Sequence, residues 1–342
     1  MEQIKKESIK QNYFYNLTFQ ILNLLLPLIT TPYISRVLGV DNIGVYSYTY
    51  SFVSTFVMIG SLGIGTYGQR EIATVNDNKS ECSKIFWEIE TVKVLSICVS
   101  FVLYLLFALM YAEYRIYFLI QIPYFGASIL DISWFFQGIE KFKFVALRNI
   151  SIKLISLILI FAVVKNRQHL PLYIILLCAS QVAGNLTMWV NIKKYISWEK
   201  LKFVDIQKHF KPTLIYFIPT IAYQIHAVLD KAMLGIICND NAENGYYEQA
   251  HKIINMALMV VSSFNVVMRS RMTTLFAKRD MVQFKQKLEH SLHFVSLIVF
   301  PMAMGMAAIA VNLVPWFLGP GYEKVCVIDD RWNPGSNCSL LC

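Results

Sequence analysis

Several ionisable side chains lie inside long apolar stretches of this chain, where a charge is costly, and three of them are candidates for ion coupling. Asp131 lies in the middle of one stretch, and His226 and Asp230 lie four residues apart in another. Residues four apart share one face of a helix, so His226 and Asp230 can contact each other. A carboxylate beside a histidine can move its titration through the working pH range, which suits coupling to protons or cations. The alternative is an internal hydrogen bond that only satisfies both groups.

Asp131 is a further candidate for ion coupling because it is a carboxylate within an apolar stretch. The alternative is an ion pair with Lys153 of the next apolar stretch, which would neutralise both side chains without any functional role.

Two cations occupy equivalent places in an internal repeat. The first copy is Arg36-Val37-Leu38-Gly39 with Gly44-Val45-Tyr46, and the second is Lys231-Ala232-Met233-Leu234-Gly235 with Gly245-Tyr246-Tyr247. Each copy has an apolar helix, a cation, Leu-Gly, a polar turn, and Gly with Tyr at the start of the next helix. Such duplication predicts two parallel lobes around a central cavity. Arg36 and Lys231 then either bind an anion or reach the outer interface as helix anchors.

The elements that must position these residues are about nine apolar stretches, each long enough to cross ~30 Å of hydrocarbon. They lie near 13–35, 43–65, 86–109, 116–138, 147–164, 170–191, 213–237, 251–268 and 291–314. Hydrophobic residues make up 56% of the chain and charged residues 15%, whereas a soluble domain carries about 25% charged residues. The sequence therefore predicts an all-α polytopic membrane protein.

Positive charge is concentrated at the N-terminus and in every second loop. The other loops and helix ends hold only Arg36, Arg115, Lys165, Arg167 and Lys252. The positive-inside rule predicts a multi-pass protein of an inner or plasma membrane with a cytoplasmic N-terminus. The net charge of +9 is thus explained by topology and anionic lipid, and we expect no nucleic-acid partner.

The loops at 66–85, 192–212 and 269–290 are too short for a folded soluble domain. This argues against an enzyme with a catalytic domain outside the membrane, including a glycosyltransferase or polymerase. The seven cysteines have no metal-site spacing, and no convincing phosphate-loop or metalloprotease motif occurs. We expect no catalytic residues, no metal and no cofactor.

A series of short motifs accompanies the apolar stretches in a specific order. They are Pro32–Gly39, Gly44–Tyr48, Gly60–Gly65, Gln69–Glu71, Asp230–Gly235, Tyr247–Ala250 and Phe317–Tyr322. In order and spacing they resemble the bacterial polysaccharide flippases of the Wzx type, which belong to the MATE/MVF superfamily of lipid-linked oligosaccharide exporters. The resemblance covers roughly residues 10–325.

The resemblance implies a transporter that flips an undecaprenyl-diphosphate-linked oligosaccharide to the outer leaflet by alternating access, for capsule or O-antigen synthesis. It assigns Arg36 and Lys231 to the diphosphate. It also implies that Tyr46 and Tyr50, one helical turn apart, present aromatic faces to the sugar; the alternative is a belt of interfacial aromatics. The implied partners are membrane lipid, this oligosaccharide and the polysaccharide polymerase machinery.

The expected organisation is an N-terminal six-helix lobe over 1–195, a basic cytoplasmic linker over 196–212, a partial C-terminal lobe of three helices over 213–325, and an aberrant polar tail over 326–342. Wzx-type flippases have more helices, so we expect this chain to be a C-terminally truncated form. Two alternatives to a working flippase are an inactive remnant and a multidrug or cation antiporter of the same superfamily, whose cavity should be dominated by carboxylates.

Overall fold

The computed structural model describes residues 9–76, 78–198, 203–238, 240–277 and 281–325, and this part of the chain contains helices and no strand. The α-helices are α1 (Ile9–Ser61), α2 (Ile64–Thr74), α3 (Lys79–Met110), α4 (Arg115–Ile120), α5 (Pro123–Leu130), α6 (Ser133–Gly138), α7 (Phe142–Val163), α8 (Leu170–Val190), α9 (Phe203–Cys238), α10 (Asn241–Ala277) and α11 (Met281–Leu318). The predicted all-α fold is confirmed.

The outer surface of the bundle is apolar. Six stretches of the described chain are long and apolar enough to cross a membrane: Leu25–Thr74, Lys79–Met110, Arg115–Gly138, Lys143–Val163, Arg167–Lys194 and Met281–Leu318. Large side chains on their outer faces are more than half exposed, among them Leu95, Val99, Val102 and Leu106 on α3 and Leu297, Phe300 and Met304 on α11. Exposing such an apolar surface to water is unfavourable, whereas contact with the hydrocarbon of a membrane is not. The chain is a multi-pass membrane protein.

Two glycines set the direction of the first membrane segments. Gly39 lies inside α1 with φ 78° and ψ 168°, so the helical run is broken there. Gly63 lies between α1 and α2 with φ 70° and ψ 13°. Glycine adopts a positive φ without the steric cost that a Cβ imposes. The first two predicted spans are therefore the two halves of α1, separated at the Leu-Gly pair of the repeat.

The fourth predicted span, 116–138, is not one continuous helix, and the expected mid-helix position of Asp131 is wrong. The segment consists of α4, α5 and α6, and Asp131 lies in the break after α5. The Asp131 carboxylate accepts a hydrogen bond from the Ser133 N–H at 3.0 Å, at the start of α6. Lys93 donates to the Asp131 carbonyl at 3.0 Å. These contacts satisfy backbone groups that a break leaves without helical partners.

The N-terminal and C-terminal halves meet where α1 crosses α10. A Cβ on Gly44 would overlap the Asn241 carbonyl, and a Cβ on Gly245 would overlap the Val40 carbonyl. Only glycine lets the two backbones approach this closely, as small residues do at membrane helix interfaces.

The contacts at this crossing are reciprocal. Gly44 packs on the residue four before Gly245, and Gly245 packs on the residue four before Gly44. Ser47 hydrogen-bonds Glu248 at a separation of 201 residues, and the same separation relates the two glycines. Equivalent residues touch each other only where they lie on a two-fold axis. This geometry fits the internal repeat, while the lobe boundaries that we drew from it stay a prediction.

A second contact between the halves joins the start of α9 to α2 and α3. Tyr67 and the His209 Nδ1 are 2.7 Å apart, and the His209 Nε2 lies 2.8 Å from a Glu88 carboxylate oxygen. His209 is 3% exposed and Glu88 is 0% exposed. Lys208 lies 3.0 Å from the same oxygen. Gly63 packs directly on the α9 backbone at Tyr216, where a Cβ would come within 2.8 Å.

We expect Gly245→Ala to destabilise the protein by about 1–3 kcal/mol, because the added methyl overfills the α1–α10 crossing. The matched control is Gly305→Ala on α11, where a Cβ meets nothing within 4 Å. That change should be neutral or stabilising, since alanine favours a helix over glycine. Thermal melting of the detergent-purified variants measures both effects, and equal melting points for the two variants would contradict the close crossing.

We expect His209→Ala to cost about 1–3 kcal/mol, because it leaves the buried Glu88 carboxylate and the Tyr67 hydroxyl short of a hydrogen-bond partner. His290→Ala is the control, since His290 is exposed and bonds only to a carbonyl of its own helix among the contacts recorded for the described residues. A melting point of His209→Ala that matches the control would show that the buried contact contributes little.

Candidate functional site

A cavity of about 420 Å³ lies between the N-terminal helices and α10. Its walls come from α1, α5, α7 and α8, and one residue of α10 reaches in. The polar and charged lining residues are Thr30, Thr31, Tyr46, Tyr50, Tyr124, Arg148, Asn149, Lys153, Tyr173, Ser156, Ser180, Gln181, Asn185 and Lys252. Cavities at helix interfaces with a few convergent polar groups are typical of ligand sites.

Four tyrosines form one wall of the cavity. The Tyr46 and Tyr50 rings stack at 5.5 Å between centroids, and Tyr173 meets Tyr46 edge-on at 5.4 Å. Tyr124 extends the group, with its ring centroid 5.2 Å from that of Tyr50. The structure therefore places Tyr46 and Tyr50 in the cavity wall. Their predicted role toward a sugar stays a prediction.

Arg148 contributes a cation whose hydrogen-bond partners, in the part of the chain that the structure describes, are all neutral. Its guanidinium donates to the side-chain oxygens of Asn149 and Asn185, and one nitrogen lies 3.1 Å from the Met188 sulfur. Asn185 is itself held by donating to the Ala127 carbonyl at 2.6 Å. Among the described residues no carboxylate forms an ion pair with Arg148. A guanidinium that is positioned by neutral hydrogen-bond partners suits an anionic ligand.

All charged side chains that line the cavity in the described part of the chain are cations: Arg148, Lys153 and Lys252. The ion pair between Asp131 and Lys153, which the sequence offers as one alternative, stays a prediction. Asp131 lies in the α5–α6 break and accepts from Ser133, whereas Lys153 faces the cavity from α7.

Lys252 connects the cavity to a buried charge cluster centred on Glu248. One carboxylate oxygen of Glu248 lies 2.6 Å from the Lys231 ammonium and accepts from the Ser47 hydroxyl at 2.9 Å. The other oxygen lies 3.3 Å from Lys252. The structure thus brings Lys231 next to the cavity, but the Lys231 ammonium is already paired with the Glu248 carboxylate.

Arg36 lies away from the cavity. Its side chain is exposed, donates to the Trp316 carbonyl, and packs against Gly319 just after the end of α11. A cation there compensates the unpaired carbonyls of a helix C-terminus. Arg36 and Lys231 therefore differ in environment despite their equivalent places in the repeat.

Of the predicted ion-coupling pair, the structure describes the side chain of Asp230 only. Asp230 accepts a hydrogen bond from the Tyr247 hydroxyl at 2.6 Å. The side chain of His226 lies outside the described residues, so the pairing of His226 with Asp230 stays a prediction.

The sequence analysis missed the importance of Arg148, Glu248 and Lys252. Arg148 lies at the start of the fifth apolar stretch, where the charge pattern predicts a basic loop, and Lys252 lies at a predicted helix end. One signal was available: Glu248 and Lys252 are four residues apart, which is the spacing of an ion pair on one helix face.

Comparisons with known proteins identify a family and two relatives. Residues 9–269 match the model of a family described as polysaccharide biosynthesis protein. The chain is 25% identical over 329 residues to a "Putative O-antigen transporter" of Escherichia coli strain K12, covering 94% of this chain and 79% of that protein. It is also 25% identical over 226 residues to a "Putative O-antigen transporter" of Shigella dysenteriae, covering 64% of this chain and 56% of that protein.

No solved structure matches the chain. The family match covers most of the sequence and, with the two relatives, confirms the resemblance drawn from the motifs. The chain belongs to the polysaccharide biosynthesis protein family.

Proposed function

We propose that this protein flips an undecaprenyl-diphosphate-linked oligosaccharide across the cytoplasmic membrane for O-antigen or capsule assembly. The proposal rests on the composition of the cavity. Arg148, positioned by neutral hydrogen-bond partners, and several tyrosines line the same cavity. A diphosphate is polyanionic and a sugar offers both hydroxyls and apolar ring faces. The cavity supplies complementary groups for each part.

Arg148 is the residue that we assign to the phosphate. A guanidinium presents a rigid fork of donors that matches phosphate oxygens, and such charge-assisted bonds are stronger than neutral ones. The side-chain oxygens of Asn149 and Asn185 accept hydrogen bonds from the Arg148 guanidinium. This fixes its direction before a ligand binds, which lowers the entropy cost of binding. Lys153 and Lys252 add positive charge at the same cavity.

Charge also separates this proposal from a multidrug or cation antiporter. Cationic substrates need carboxylates at the binding surface, since opposite charge lowers the cost of bringing an ion into a site of low dielectric. The charged residues that line the cavity among the described side chains are cations. Their sign favours an anionic substrate.

Transport would proceed by alternating access. The halves touch at the α1–α10 crossing and at the contact of α9 with α2 and α3. A cavity of about 420 Å³ lies in the size range of small-ligand pockets, so it holds only part of a lipid-linked oligosaccharide. Opening one contact at a time would admit the substrate on one side and release it on the other. The positive-inside pattern supports a cytoplasmic N-terminus, and we propose the polysaccharide polymerase as the consumer of the product.

The first test is complementation of a strain that lacks its own O-antigen flippase. We expect the 342-residue chain to restore surface polysaccharide, measured by gel and lectin staining with membrane levels checked by blot. No export at a normal membrane level would identify the chain as an inactive remnant, and the proposal of active transport would fail.

We expect Arg148→Gln to lower export by at least about tenfold, because it removes a charge-assisted hydrogen bond worth about 1.5–3 kcal/mol. Arg115→Gln is the matched control. Arg115 is exposed and donates to the Leu109 carbonyl, so the same loss of charge should leave export near the wild-type level. Equal export by the two variants would remove Arg148 from the substrate site.

We expect Tyr50→Leu to lower export several-fold, whereas Tyr50→Phe should stay close to the wild type. The ring of Tyr50 stacks on Tyr46 and faces Tyr124, and aromatic stacking needs the ring but not the hydroxyl. Surface polysaccharide at matched protein levels is the readout. A large loss in Tyr50→Phe would assign the effect to the hydroxyl instead.

A further inference from the structure

Glu248 is the only carboxylate among the described residues that forms ion pairs beside the cavity. Its side chain is 12% exposed, and those of Lys231 and Lys252 are 15% and 30% exposed. One carboxylate therefore neutralises part of the charge of two lysines. The cluster carries a net charge of about +1 with the carboxylate and about +2 without it.

The cluster lies at the junction of the two halves. Lys231 belongs to α9, and Glu248 and Lys252 belong to α10. Ser47 of α1 donates to the same carboxylate oxygen that Lys231 contacts. Ser47 and Glu248 are also the equivalent residues that meet at the two-fold-like crossing. Any rocking of one half against the other must therefore change the surroundings of this carboxylate.

Alternating access requires two closures in each cycle, one with substrate and one without it. With substrate, the phosphates can neutralise the lysines. Without substrate, Lys231 and Lys252 would be enclosed as uncompensated cations, and breaking a buried ion pair by removing one partner is strongly unfavourable. The empty transporter needs an internal anion, and Glu248 is placed to supply it.

We propose that Glu248 is the internal counter-anion of the substrate site. It holds Lys231 and Lys252 while the site is empty, so that the empty transporter can close and reorient, and it yields the lysines to the diphosphate when substrate enters. This inference rests on the proposed function. It assigns Glu248 as a positioning residue that competes with the substrate rather than one that binds it.

The competition gives Glu248→Gln an unusual signature. Removal of the carboxylate should free the lysines, so a diphosphate should bind about tenfold more tightly, equivalent to about 1.4 kcal/mol. Export should fall nevertheless, because the empty site can no longer close at low cost. A residue with a purely structural role would lower both binding and export.

The binding experiment uses the full chain in lipid nanodiscs and geranyl diphosphate as the probe, titrated by thermal shift. Glu243→Gln is the matched control on the same helix, since Glu243 lies 3.2 Å from Lys324, whose side chain is 67% exposed. The hydrogen bond from Lys324 to Glu243 raises the pKa of Lys324, and neither residue lines the cavity. We expect the control to bind geranyl diphosphate like the wild type.

A second variant tests the charge balance itself. Glu248→Gln combined with Lys252→Gln restores the net charge of the cluster to that of the wild type. We expect this double variant to recover part of the export that Glu248→Gln loses. If Glu248→Gln alone does not fold, export by the double variant is compared directly with export by the wild type.

Unchanged or weaker binding by Glu248→Gln, with normal binding by the wild type and Glu243→Gln, would overturn the counter-anion role and leave the proposed function intact. No rescue by the double variant would also overturn it. Absence of geranyl diphosphate binding by the wild type and by every variant would instead refute the diphosphate site, and the counter-anion role with it.

Discussion

The close approach of α1 and α10 is the constraint on which the rest of this structure depends. Gly44 and Gly245 bring two backbones together so closely that neither tolerates a Cβ without displacement. A membrane supplies little hydrophobic driving force between helices, so tight packing of small residues must hold them together. The same approach brings Ser47 to Glu248 and sets Lys252 at the edge of the cavity. The close approach of α1 and α10 thus determines both the helix packing and the placement of the charged side chains at the site.

The cavity joins features that are far apart along the chain. α7 contributes Arg148, α1 and α8 contribute tyrosines, and α10 contributes one lysine. The fixed cation on α7 has neutral partners, whereas the cation on α10 shares a carboxylate. The two sides of the cavity are therefore electrostatically different, one ready for an anion and the other occupied by an internal one.

Sequence reasoning recovered the parts of this molecule that depend on local pattern. Hydropathy located the helical segments, and the repeat placed Gly44 and Gly245 at equivalent positions before any contact was known. It did not foresee the break at Asp131, because apolar runs look alike whether the helix is continuous or interrupted. It also missed Arg148 and Glu248, since the value of a charge depends on which helices pack around it. The proximity of Tyr46 and Tyr50 could be predicted because both lie on one helix, one turn apart.

The buried contact among Tyr67, His209 and Glu88 has a further consequence for motion. The Glu88 side chain is 0% exposed, and one of its oxygens contacts His209 and Lys208 of α9, whereas the other lies 3.7 Å from Lys84 of the same helix. If α9 moves away, the carboxylate keeps only the longer Lys84 contact, and a buried anion with so little compensation is costly. Water must enter as the helix leaves. Opening of the bundle at this end therefore requires hydration of Glu88 as well as movement of α9. The rate of opening should depend on how readily water reaches the Glu88 carboxylate.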